Sequence, residues 1–152
     1  MASVIVAYSF GFREKGYTKS NEALAREVDK IYGKYKYAII AQKEIADLSK
    51  SKKVFVVKRH RKRGEYLDTM EVTSQAVEFM KKHEFSRVLL IAQPFLHRAE
   101  CRRLLKKNGF LVVVPKIRYI PFDRESDQWW TRDNLRFLIY AILQKTTGRK
   151  GY

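Results

Sequence analysis

The chain predicts an α/β protein, a Rossmann-like three-layer sandwich with a mainly parallel sheet of about five strands. Two observations carry this class. Short apolar runs rich in β-branched residues recur along the chain, as in SVIVAY at Ser3–Tyr8 and VLLIA at Val88–Ala92. Between them lie segments whose apolar residues recur at helical spacing, the alternation expected of βαβ units. A third observation sets the domain count: no stretch rich in proline, glycine or serine divides the 152 residues, so 1–152 reads as a single domain. That length buries a real core.

Taken in order, Ser3–Tyr8 is a buried strand, and the following loop to Thr18 contains Gly11 and Gly16. Ser20 or Asn21 supplies a helix cap, Ala23, Leu24, Val28 and Ile31 form the inner stripe, and Gly33 closes the helix. Tyr37–Ala41 reads as a second strand, Lys43–Leu48 as a short helix and Val54–Val57 as a third strand. After the basic run Lys58–Arg63, which Gly64 ends, Asp68 or Thr69 caps a helix that turns Val72, Ala76, Phe79 and Met80 inward. Glu71 stands where a capping-box carboxylate belongs. Val88–Ala92 is the fourth strand, and the next helix directs Leu96, Ala99, Leu104 and Leu105 inward before the Asn108-Gly109 stop. Leu111–Val114 is a fifth strand ended by Pro115. A loop with Pro121, Trp129 and Trp130 leads to a last apolar helix from Asp133 to Gln144, followed by a frayed tail.

Charge narrows the partners without touching the fold. Lys and Arg number 32 against 16 Asp and Glu, a formal charge of +16 with a pI near 10.0. Such an excess concentrates anions, so phosphorylated small molecules and nonspecific nucleic acid are the expected partners. Hydrophobic residues make up 45% of the chain, which favours a globular class over disorder. No apolar run reaches the roughly 18 residues of a membrane span. MASVIVAYSF is only briefly apolar and lacks a basic n-region, so no secretory signal and a cytoplasmic location are expected. Cys101 is the single cysteine, which excludes an internal disulfide and a cysteine-cluster metal site.

A parallel sheet gathers its strand carboxyl ends on one edge, where ligands of open α/β sheets bind. Ser9, Gly11, Gln93 and the segment to Arg98 fall on that edge. His97 and Arg98 open a helix, where unpaired N–H groups and the helix dipole favour an anion and an arginine adds a bidentate contact. Glu71, near Asp68 and Thr69, is placed to orient a ligand hydroxyl or act as a base, and His97 is the second candidate for acid–base chemistry. His60, His83 and His97 lie far apart, and neither HExxH nor paired CxxC spacing is present, so no metal site is expected. SFGFREKG matches neither a dinucleotide fingerprint nor a Walker loop.

The run Lys58, Arg59, His60, Arg61, Lys62, Arg63 offers a second reading. Its five fixed cations could track a phosphate backbone with a log–log salt slope of about −4.5. A nucleic-acid-binding module is therefore the alternative, although aromatic residues do not interleave the run as a single-strand platform requires.

Three motifs together resemble a known family. DTME at Asp68–Glu71, AQPFLHRA at Ala92–Ala99 and GFLVVVP at Gly109–Pro115 resemble the YdcF-like family, the group that includes SanA and ElyC. Its members carry an N-T-x-E motif opening one helix and a T-S-x-x-H-x-x-R-A motif between a strand and the next helix. The resemblance implies a Rossmann-like domain binding a nucleotide or S-adenosylmethionine. By position it assigns Thr69, Glu71, Arg98 and Ala99 to the family's motifs. A hydrolase or transferase acting on a phosphorylated substrate, with Glu71 or His97 as base, is a separate alternative. Asp68 stands for the family's asparagine, Ala92 and Gln93 replace its threonine and serine, and His97 sits nearer the arginine than the family's histidine does.

Overall fold

A computed structural model describes residues 1–58 and 67–147. Five strands alternate with helices: β1 (Ser3–Ala7), α1 (Lys19–Tyr35), β2 (Ala38–Gln42), α2 (Lys43–Ala46), β3 (Val54–Val57), α3 (Thr69–Lys82), β4 (Arg87–Ile91), α4 (Leu96–Lys107), β5 (Leu111–Val113) and α5 (Asn134–Thr147). All pairings are parallel in the order β3-β2-β1-β4-β5. The expected Rossmann-like sandwich is present. Among the described residues, no helix is long and apolar enough to cross a membrane.

Alternation along each strand divides the core in two, because successive side chains leave opposite faces. Val4, Val6, Tyr8, Val88 and Leu90 meet Val72, Ala76 and Met80 of α3 and Cys101 and Leu105 of α4. On the other face Ile5, Ala7, Ile39 and Ile91 meet Leu24, Val28 and Ile31 of α1, Ile45 of α2 and Phe137 of α5. Both faces are covered, which explains why the strands read as continuous apolar runs.

Several boundaries differ from the sequence expectation. Thr18, rather than Ser20 or Asn21, caps α1: its side chain accepts from the Asn21 N–H, and Ser20 and Asn21 are turned inward. The helix continues past Gly33 to Tyr35 and stops at Lys36, which takes the left-handed conformation with φ 57°. In α4 the buried positions are Cys101, Leu104 and Leu105, whereas Ala99 is exposed. Of the basic run, Lys58 is exposed; Arg59, Arg61, Lys62 and Arg63 lie outside the described residues.

The segment after β5 returns across the sheet edge and is fastened to the loop after β1. Asp123, 1% exposed, accepts from Arg13 Nη2 at 2.8 Å, from the Lys19 N–H at 2.8 Å and from the Glu125 N–H at 2.9 Å. Burial alone would raise its pKa, but these hydrogen bonds outweigh burial and hold the carboxyl below its ordinary value. Ser20 Oγ donates to the Pro121 carbonyl at 2.5 Å. Gly11 lies in the same junction with φ +81°, and an added Cβ would meet Thr131 Oγ1 at 3.0 Å and Ser126 Oγ at 3.1 Å.

Asp123→Ala removes charge-assisted bonds from three donors and is expected to cost about 2–4 kcal/mol. Gly11→Ala, strained in both conformation and space, is expected to cost about 1–3 kcal/mol. Urea unfolding measures both, and an Asp123→Ala midpoint equal to wild type contradicts the fastening role.

Candidate functional site

The sheet order places a topological switch point between β1 and β4, whose following connections leave in opposite directions. In doubly wound sheets a ligand crevice lies outside the strand carboxyl ends at such a point. Here the chain leaves β1 through Tyr8 and Ser9 and leaves β4 through Ala92 and Gln93. The first turns of α3 and α4 stand beside that edge, brought into contact by Thr69 and His97.

A buried polar chain links these elements. The Thr73 hydroxyl donates to the Thr69 carbonyl at 2.7 Å, so the Tyr8 hydroxyl, 2.8 Å from Thr73 Oγ1, is the donor in that pair. Burial raises the Tyr8 phenol well above its usual pKa, which keeps the proton needed for this bond. Thr69 Oγ1 lies 3.3 Å from His97 Nε2. The His97 ring packs 5.3 Å from the Phe10 ring and 6.1 Å, edge-on, from Tyr8. Part of the residue reaches the surface, but Nδ1 is buried without a partner among the described residues.

Burial pushes the His97 imidazole down to about 4, so it is neutral near pH 7 and a weak base. In that state it offers an anion no charge. A neutral imidazole still offers hydrogen bonding from Nε2.

The helix N-termini differ sharply. That of α1 is occupied by the chain itself, through Asp123 on the Lys19 N–H and Thr18 on the Asn21 N–H. That of α3 is capped by Asp68, whose carboxylate accepts from the Glu71 N–H at 2.7 Å. At α4, Phe95 holds the cap position with no side-chain cap bond, and no acid stands in the first turn. Gln93 shapes this entrance: its side chain accepts from the Phe95 N–H at 2.9 Å, and its carbonyl accepts from the Arg98 N–H at 3.0 Å. The Arg98 side chain is half-buried and forms no ion pair with a described residue.

The other predicted residues fall around this core. Glu71 Oε1 accepts from Gln75 Nε2 at 3.2 Å. Ser9 turns toward β2: its N–H donates to Gln42 Oε1 at 3.1 Å, and its side chain bonds Glu44, a carboxyl that burial raises. Gln42 Nε2 and Glu44 Oε2 are buried without partners among the described residues. Gly11 faces the packed junction around Ser126, Thr131 and Thr18. Among the described residues, no group of three or more His, Cys, Asp or Glu side chains is placed to hold a metal ion.

Sequence reasoning missed Tyr8, Thr73, Glu44 and Asp123 as site-forming residues. Thr73 stands one turn after Thr69, a readable spacing. Asp123 carried no local signal, since its partners Arg13 and Lys19 lie more than a hundred residues away. No family model, curated protein or solved structure matches the chain.

The lowered His97 pKa has a pH signature. The group must gain a proton on unfolding below pH 6.5, so its stabilising contribution is complete above 6.5 and is lost as pH falls toward about 4. Thermal unfolding across that window is expected to show a steeper loss of Tm for wild type than for His97→Gln. Parallel curves would contradict a buried neutral imidazole.

Proposed function

We propose that this chain is a divergent YdcF-like domain that binds a phosphorylated or nucleotide-like ligand, S-adenosylmethionine among the candidates, in the crevice between β1 and β4. The observation that carries the reading is the contrast among helix ends: α1 and α3 are capped by the chain's own carboxylates, whereas α4 has no side-chain cap and no first-turn acid. An anion fits that end, because the first-turn N–H groups point outward along the positive end of the dipole.

In this reading the Leu96 and His97 N–H groups and the Arg98 guanidinium hold the anionic group. The Thr69 hydroxyl and the neutral His97 ring bind polar atoms beside it, and Glu71 orients a ligand hydroxyl. Gln93 holds the entrance open in shape. The formal charge of +16 raises the local concentration of such ligands without selecting among them. If the site also performs hydrolysis or transfer, Glu71 is the better base, since an imidazole near 4 takes a proton poorly at neutral pH.

A panel of nucleoside phosphates, sugar phosphates and S-adenosylmethionine, screened by thermal shift and followed by calorimetry, tests this. At least one anionic ligand is expected to raise Tm. Arg98→Ala is expected to weaken that ligand about tenfold or more, the loss of a charge-assisted hydrogen bond. Equal affinity in the variant, or no stabilisation by any member of the panel, would sink the proposal.

A further inference from the structure

α1 and the segment after β5 form a cavity of about 300 Å³ that shares no residue with the crevice beside α4. Ala23, Glu27 and Lys30, spaced four and three apart, line it from one face of α1, with Arg26 beside them. Arg118 and Tyr119 supply the facing wall. That wall is anchored by Ile120, which is 1% exposed, and by the Ser20 hydroxyl on the Pro121 carbonyl.

Glu27 is the unusual member of this lining. The residue is 4% exposed, yet its Oε2 is buried with no hydrogen-bond partner among the described residues. A buried carboxylate is stable only when it is paired or bonded, so an oxygen in this state points to a donor that the chain itself does not supply. Arg26, Lys30 and Arg118 line the same cavity, and none of them forms an ion pair among the described residues.

These groups define the chemistry of an occupant. Three positive side chains and one negative leave the cavity with a charge of +2, which repels a metal ion and attracts a dianion. A phosphate monoester carries about −1.5 to −2 at neutral pH and offers three acceptor oxygens. Glu27 asks in addition for a donor, which a hydroxyl on the same molecule provides. The volume is at the low end of small-molecule sites, so the molecule is small.

We infer that this cavity is a second ligand site, one that takes a small phosphate monoester bearing a free hydroxyl. Arg26, Lys30 and Arg118 hold the phosphate, and the hydroxyl donates to Glu27 Oε2. The site stands independently of the crevice proposed above.

Amide NMR of the full chain at pH 8 tests this, with glycerol 3-phosphate as the probe and methyl phosphate, which lacks the hydroxyls, as its comparison. Glycerol 3-phosphate is expected to shift the Lys30, Arg118 and Tyr119 amides saturably and to bind there about tenfold more tightly than methyl phosphate, the value of a hydrogen bond to a charged group. Arg118→Ala is expected to weaken both about tenfold. Glu27→Leu is expected to erase the advantage of glycerol 3-phosphate while methyl phosphate binds no more weakly, whereas a merely structural Glu27 would weaken both. Arg98→Ala leaves the shifts at these amides unchanged. Equal affinity of the two phosphates in wild type overturns the inference, as does an advantage that survives Glu27→Leu. Shifts confined to the Leu96 and His97 amides overturn it too, and leave the crevice reading standing.

Discussion

The structure depends on one buried carboxylate. Asp123 cannot stay charged in a nearly water-free position without partners, and it draws them from separate segments: the guanidinium of Arg13 after β1, the first N–H of α1, and the Glu125 N–H of its own loop. Because those donors are distant in sequence, satisfying Asp123 folds the segment after β5 over the exit of β1. Ile120 then joins the core, Phe122 meets Phe10 at 5.5 Å, and Phe10 forms the wall against which His97 is buried. The lowered pKa of Asp123 means that this fastening is present above the ordinary carboxylate pKa and is lost only as pH falls through the lowered value.

The same carboxylate decides where a ligand anion would be bound. In Rossmann-like sheets the helix after the first strand commonly receives a phosphate. Here an internal carboxylate takes that place at α1, and Asp68 takes the corresponding one at α3. Among the described residues the N-terminus of α4 has no carboxylate cap, and it stands beside Arg98 and a polar chain running from His97 to Tyr8. Burial of that chain works in the same direction: it removes the charge of His97 and retains the proton of Tyr8, so these groups are neutral hydrogen bonders.

The fold was legible because the central strands β1, β2 and β4 are buried on both faces and therefore appear as unbroken apolar runs, with helical spacing between. Strand order was not, since no local pattern records which strands are neighbours. Within the site, Thr69, Glu71, Gln93 and Arg98 could be picked out because they stand at the junctions of strand and helix. His97 was visible, but its neutrality depends on Phe10 and Tyr8, which reach it only through the fold. The surroundings of Gly11 could not be read for a related reason: the side chains of Ser126 and Thr131 that fill them arrive from the far end of the chain.

Binding of a ligand anion at the N-terminus of α4, and not of α1, is tested most directly by amide NMR during titration with a nucleoside monophosphate. The predicted result is saturable shifts of the Leu96 and His97 amides, while Lys19 and Asn21, already bonded to Asp123 and Thr18, stay in place. Saturable shifts centred on Lys19 and Asn21, with the α4 amides unmoved, would contradict it.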